Sequence, residues 1–283
     1  MKEWKKFEKE VFNILQRYYP DANIFYDVKR FGRFSLTYRQ IDILITSIVA
    51  GNIVDIVVDT KYYKKKIDVK IVEEFIGMLD DLDCHKGILI TNIGFTNAAM
   101  NRALNNPFDF GIDIISSKEL NKNQGCGAIG YNDKHAVLIQ PPIGWVVDCR
   151  VEPNAYVASA YSKIYNRDTA FQYQEFMYIN IENKVNYPTV ESLMKYQNER
   201  IQTESDIYFS SERWKTNGKE LIIRTLYKEN SSRVEYTAFI EFPDFFAYGV
   251  LITPIKKYRI NLPKMIYTVE NLMPMDIKEK TDM

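Results

Sequence analysis

Apolar residues return along this chain with two distinct periods, and the places where the period changes divide it into elements. Between residues 3 and 19, Trp4, Phe7, Val11, Ile14, Leu15 and Tyr18 recur at helical spacing on one side, and Pro20 stops the helix they predict. A turn-rich entry follows. In "RQIDILI", Ile41, Ile43 and Ile45 alternate with Asp42 and Leu44; "NIVDIVVDTK" comes next across "AGN" at 50–52, whose Gly and Asn suit a tight hairpin. Two paired antiparallel strands are expected. Val69, Val72, Phe75, Ile76, Leu79 and Leu82 then restore the helical period, with Asp68 placed as an N-cap. A short apolar strand "GILIT", a helix over about 95–105 and a strand "GIDIIS" at 111–116 complete the series. Helix, hairpin, helix, strand, helix, strand is the order of a compact α/β domain, over residues 1–120.

The pattern changes near residue 120. "NKNQGCGAIG" is rich in Asn and Gly and reads as a linker, and 14 of the 20 tyrosines lie beyond it. Residues 131–283 carry β-rich runs, among them "AVLIQ", "ELIIRTLY", "RVEYTAFIEF" and "FAYGVLITPI", with a helix over "TVESLMKYQNERI" at 189–201. The expectation is a second, α+β domain. Its aromatics are not interleaved with Lys or Arg, so core packing explains them better than stacking on single-stranded bases. The last ten residues, from Pro274, read as a frayed tail.

Composition narrows the function. At 283 residues, 46% hydrophobic and 26% charged, the chain is long enough for two sizeable cores and unlike a disordered or coiled-coil protein. No apolar run approaches the roughly 20 residues that span a bilayer, and "MKEWKKFEKE" lacks a signal-peptide core, so a cytoplasmic protein without a membrane partner is expected. Cys84, Cys126 and Cys149, with His85 and His135, have the spacing of neither a disulfide framework nor a zinc site. Adjacent Cys84 and His85 read as structural. Net charge is zero, so any affinity for phosphate must come from local patches. Two stretches interleave cations with aromatics: "VKRFGRFSLTYR" at 28–39, which includes Arg39, and "KYYKKKIDVK" at 61–70, which includes Lys64, Lys65 and Lys66. Each is either a set of backbone-phosphate contacts or a solvated loop.

One triplet stands apart. An acid two residues before a lysine occurs six times, at Glu3, Asp27, Asp59, Asp68, Glu182 and Asp276, so the spacing alone says little. Asp59 differs in context. It ends an apolar strand, shares a strand face with Lys61, and hairpin pairing brings Asp42 within a few ångströms. Two close carboxylates repel unless a cation lies between them, and hard oxygen donors suit Mg²⁺. A lysine beside such an ion can orient water or offset charge on a phosphoryl group. That set is the minimum for hydrolysing a phosphodiester.

The ordered blocks "FEKEVFNIL", "RQIDILI", "VVDTKYYKKKIDVKIVEEFIGML" and "KGILITNIGFTNAA" resemble the Mrr-like branch of the PD-(D/E)xK restriction-endonuclease superfamily over about residues 4–116. The resemblance implies a restriction-endonuclease-like fold whose mixed central sheet, flanked by helices, carries the active site of a DNA endonuclease using Mg²⁺ or Mn²⁺, with a role in restriction or other defence against foreign DNA. It implies that Asp42 is the first metal-binding acid, Asp59 the acid of the acid-x-Lys motif, Lys61 the catalytic lysine, and Glu8 an acid that joins the metal site. Position 59 is Asp where Glu is commoner in this branch, and Glu73 and Glu74 stand where a glutamine is often found. Duplex cutting favours a homodimer. The competing reading is an inactive nuclease fold that binds DNA or protein.

Overall fold

The computed structural model describes residues 2–20, 22–49, 52–108, 110–117, 120, 127–130, 135–149, 158–162, 167–202, 206–216 and 218–276. The chain divides into two compact units, Met1–Asn123 and Gln124–Met283.

In the first unit a five-stranded mixed sheet has the order β1 (Asn23–Phe31), β2 (Tyr38–Val49), β3 (Asn52–Lys61), β4 (Lys86–Thr91) and β5 (Gly111–Ser116). The first three strands pair antiparallel, and β4 and β5 continue parallel to β3. A parallel neighbour cannot be reached by a tight turn, so a helix makes each crossover: α2 (Val69–Asp81) between β3 and β4, and α3 (Asn97–Leu104) between β4 and β5. Asp68 caps α2 by accepting from the Lys70 and Ile71 amides at 3.1 and 3.3 Å, and Thr96 caps α3 through the Ala99 amide at 3.3 Å. Helix α1 (Glu3–Tyr18) buries Phe7, Val11, Phe12, Ile14 and Leu15. Strand β4 lies between two parallel neighbours and is buried from Gly87 to Thr91, as its unbroken apolar run requires.

The pairing Val49↔Asn52 bears out the hairpin of β2 and β3; Ala50 and Gly51 at its tip lie outside the described residues. Strand β1 replaces the turn-rich entry expected before β2. It is an edge strand exposed at every second residue, so charged and aromatic side chains interrupt its alternation and hide the period. The connection from β1 to β2 is tied to the end of α2. The Asp81 carboxylate accepts from the Phe34 and Ser35 amides, both at 2.9 Å, and from the Ser35 hydroxyl at 2.6 Å. A Cβ on Gly32 would lie 2.3 Å from Asp81 Oδ2, so only glycine permits this approach.

The second unit is mostly antiparallel sheet. Its seven-stranded sheet has the order β11 (Ile207–Thr216), β12 (Lys219–Lys228), β13 (Arg233–Glu241), β14 (Phe245–Pro254), β10 (Phe176–Asn183), β9 (Ala158–Ser162) and β8 (Trp145–Asp148). A three-stranded sheet contains β15 (Met273–Asp276), β7 (His135–Ile139) and β6 (Gly127–Gly130). Thus part of the expected linker is strand β6, and part of the expected tail is strand β15, paired with β7. Helices α4 (Arg167–Gln172), α5 (Val190–Ile201) and α6 (Tyr258–Glu270) complete the unit. Helix α5 falls where its period places it, with Val190 and Leu193 packed on Phe239, Phe246 and Tyr248. Helix α6 was not expected. It contains Pro263 and buries Asn261, Lys264 and Thr268 along with Met265, Ile266 and Val269, so it has no polar stripe to reveal it.

Gly87 of β4 lies beneath α2, where a Cβ would stand 2.3 Å from Leu79 Cδ1 and 2.7 Å from the Phe75 ring. Both side chains are buried and have nowhere to go. Gly87→Ala should destabilise this unit by about 1–3 kcal/mol, the range for overpacking a core; a urea unfolding midpoint unchanged from wild type would refute that packing.

Candidate active site

Ladder pairing between β2 and β3 is continuous from Val49↔Asn52 to Ile43↔Val58, and the same register carried one residue further sets Asp42 opposite Asp59. At that point a side chain replaces the backbone acceptor. Asp42 Oδ2 accepts from the Thr60 amide at 2.8 Å and from the Thr60 hydroxyl at 2.8 Å. The Asp42 carboxylate is thereby wedged into the fork where the strands part, beside the buried carboxyl of Asp59. Lys61 Nζ lies 2.6 Å from Asp59 Oδ2. Asp42, Asp59 and Lys61 are thus brought together, by residues of a single hairpin.

Electrostatics separates Asp59 from its neighbour Asp55 on the same strand. Burial lifts both. At Asp55, hydrogen bonds from Arg30 and from Thr46, at 2.7 Å for the latter, outweigh burial and hold the carboxyl below its ordinary range. At Asp59, burial and the charge and hydrogen bond of Asp42 outweigh Lys61, and the carboxyl is pushed up to about 6. Lys61 is held above its ordinary value because the Asp59 carboxylate outweighs the burial that would lower it. Both carboxyls are ion-paired, Asp55 with Arg30 and Asp59 with Lys61, but only Asp59 has a second carboxylate beside it.

The other candidates fare differently. Glu8 is buried on α1, but its partners are Lys5, at 3.3 Å, and Tyr26 of β1. Among the described residues no group of three or more His, Cys, Asp or Glu is placed to hold a metal ion, so Glu8 is not gathered with the acid pair. The basic stretch 28–39 is largely neutralised: Arg30 pairs with Asp55, Arg33 with Asp80 and Asp83 at 3.0 and 2.8 Å, and Arg39 lies 3.6 Å from Asp81. Arg39 therefore braces the end of α2. Lys64, Lys65 and Lys66 are exposed. Their loop is clasped at both ends. Asn92 accepts from the Tyr63 amide at 2.8 Å and donates to the Tyr63 carbonyl at 2.9 Å, while Ile67 exchanges backbone bonds with Gly94 and Thr96, both 2.9 Å. The partner of Asn92 is 29 residues away along the chain, so the sequence carries no local signal of this clasp. Cys84 is buried, with its thiol pushed up to about 11 by that burial, and His85 Nδ1 accepts from the Asp55 amide, so neither forms a nucleophilic pair.

A mixed sheet flanked by helices, with two acids and a lysine at a strand fork, is compatible with a restriction-endonuclease-like fold. The family model described as Restriction endonuclease, the Mrr catalytic domain, matches residues 1–124, consistent with an N-terminal Mrr-like nuclease domain. No curated protein matches the chain. A solution structure of cyanobacterial PsbP (CyanoP) from Synechocystis sp. PCC 6803 aligns with 54% of this chain and 94% of its own, at 13% identity and a TM-score of 0.35, too low to bear on fold or function.

The raised Asp59 carboxyl has a stability consequence with a definite sign. Between an ordinary value of 3.8 and about 6, the folded chain keeps a proton that the unfolded chain has lost. The contribution to stability is therefore largest at acid pH and is lost as pH rises through that window, by at most about 3 kcal/mol. In EDTA, Asp59→Asn should flatten this dependence and exceed wild type in stability at pH 7; parallel stability curves for the two proteins from pH 4 to 7 would contradict the assignment.

Proposed function

We propose that the chain is a metal-dependent endodeoxyribonuclease whose N-terminal unit hydrolyses DNA phosphodiester bonds and whose second unit selects the target, partner or signal. The observation that carries the reading is the Asp42, Asp59 and Lys61 cluster inside the stretch that matches the nuclease family. Two adjacent carboxylates, one of them desolvated, fit a divalent cation such as Mg²⁺ or Mn²⁺, because hard oxygen donors of like charge are relieved by it. Asp42 and Asp59 would hold the ion, which when bound polarises a phosphoryl oxygen and lowers the pKa of a water. Lys61, 28% exposed and beside Asp59, would offer its ammonium to the phosphate, where negative charge grows during cleavage. Thr60, bonding Asp42 twice, fixes the carboxylate that faces the ion. Lys64, Lys65 and Lys66 contact the DNA backbone. Action on foreign DNA in restriction or anti-phage defence, in the cytoplasm, accords with the family; no helix among the described residues is long and apolar enough to cross a membrane. Cutting both strands calls for two such sites, which a homodimer supplies.

A second reading, an inactive nuclease fold that binds DNA or protein, draws support from the absence of a third metal-holding group among the described residues. Plasmid cleavage in Mg²⁺, Mn²⁺ or EDTA separates the two.

Asp42→Asn should abolish cleavage with the fold retained, and Lys61→Ala should slow it by about a hundredfold or more, the scale of one preorganised electrostatic group. DNA affinity of Lys61→Ala in Ca²⁺ should stay within a few fold. Normal cutting by either variant sinks the catalytic assignment, and equal losses of rate and affinity in Lys61→Ala would leave the binding module as the better account.

Replacing Lys64, Lys65 and Lys66 together by Ala should weaken DNA binding and make log affinity less steep in log salt, by up to about 0.9 per lost phosphate contact. An unchanged slope identifies the run as a solvated loop.

A further inference from the structure

The extended chain of β3 does not stop at its last ladder pair, Lys61↔Thr91. Beyond that pair the partner that exchanges hydrogen bonds with the backbone is a side chain. The Asn92 side-chain oxygen accepts from the Tyr63 amide at 2.8 Å and its nitrogen donates to the Tyr63 carbonyl at 2.9 Å, while the Asn92 backbone amide donates to the Lys61 carbonyl at 3.4 Å. One asparagine thus stands in for a neighbouring strand, and side chains go on alternating between the two faces past the end of the ladder. Tyr62 turns to α1, where its ring centroid lies 5.7 Å from that of Phe7. Tyr63 falls on the opposite side, with Asp59 and Lys61, and its phenol is near enough to act on the Lys61 charge.

The Tyr63 side chain has no polar or ring partner in the fold. It is 44% exposed, and among the described residues its ring makes no aromatic contact and its hydroxyl makes no hydrogen bond. Lys61 itself is turned to Asp59, 2.6 Å away, so the phenol lies near the lysine without bonding it. An exposed aromatic on a backbone held by two hydrogen bonds has already lost much of the freedom that binding would otherwise take from it. Its position is fixed and its hydroxyl is open.

We propose that Tyr63 is a substrate-binding residue of the nuclease site, its hydroxyl donating to an oxygen of the DNA backbone phosphate next to the one assigned above to Lys61. The proposal rests on the nuclease reading and adds to it a contact that carries no charge. Tyrosine is among the side chains that reach phosphate oxygens as neutral donors. A hydroxyl close to Lys61 but not bonded to it stands beside the phosphate to be cut and is free to hold the adjoining one. Lys64, Lys65 and Lys66 follow directly in the chain, so a backbone strand laid along the loop passes Lys61, Tyr63 and the lysine run in turn.

The test compares the full chain with Tyr63→Phe, which removes the hydroxyl and keeps the ring. With a duplex oligonucleotide in Ca²⁺, Tyr63→Phe should bind about tenfold more weakly, the scale of one net hydrogen bond, and in Mg²⁺ or Mn²⁺ kcat/KM should fall by a similar factor, chiefly through KM. A neutral donor displaces no counterion, so log affinity against log salt should keep the wild-type slope, unlike that of the triple lysine variant. The urea unfolding midpoint should not move. Wild-type affinity in Tyr63→Phe overturns the assignment, and if Tyr63→Ala then binds weakly, the ring is stacking on a base instead. A lowered unfolding midpoint accompanying the loss marks a structural role and also overturns it. A wild-type chain that leaves DNA uncut overturns the nuclease reading and this assignment together, whereas a cleaving wild type beside a silent Tyr63→Phe removes this assignment alone.

Discussion

The first unit depends on an unfavourable contact: two carboxyls, from Asp42 and Asp59, held together in the fork of a hairpin with one of them out of water. Left ionised and unaided, that contact would push the strands apart. The fold tolerates it by three local devices. Thr60 ties Asp42 with two hydrogen bonds, Lys61 supplies a cation to Asp59, and the raised Asp59 carboxyl can keep its proton. Asp55, on the same strand, has no second carboxylate to offset, and Arg30 and Thr46 hold its carboxyl below its ordinary range.

How much of this was legible in the sequence follows from how local each feature is. Asp42, Asp59 and Lys61 belong to one hairpin, so strand alternation and a short turn suffice to bring them together, and the structure does so. Glu8 pairs with Lys5 one turn back on α1, but its other partner, Tyr26, depends on the packing of α1 against β1, a strand the alternation did not reveal. The basic stretch 28–39 has its counter-charges elsewhere in the chain, at Asp55 and in the run Asp80, Asp81 and Asp83, and its own sequence does not show them. Charge read along a chain does not show charge balance in space.

The second unit illustrates the same limit in its elements. Strands β12, β13 and β14 were visible because each is nine or ten residues long and rich in β-branched and aromatic residues. Strands β6 and β15 were not, being four residues each with Gly or Pro among them, and they gain their pairing only from β7. Helix α6 was hidden for the opposite reason. Polar residues such as Asn261 and Lys264 face the interior, where Asn261 hydrogen-bonds Glu175 and Thr253 and Lys264 lies over the Trp145 ring.

The loop that carries Lys64, Lys65 and Lys66 is sewn to β4 and to the turn beyond it at two points, Tyr63 to Asn92 and Ile67 to Gly94 and Thr96. A segment stitched at both ends has a fixed length. An extra or missing residue between 63 and 67 would release one stitch or strain the other, whereas changes of side-chain identity at 64, 65 and 66 leave both intact. The loop can thus drift freely in chemistry but not in length, and its exposed surface can change by substitution alone, with the fork of Asp42 and Asp59 left undisturbed.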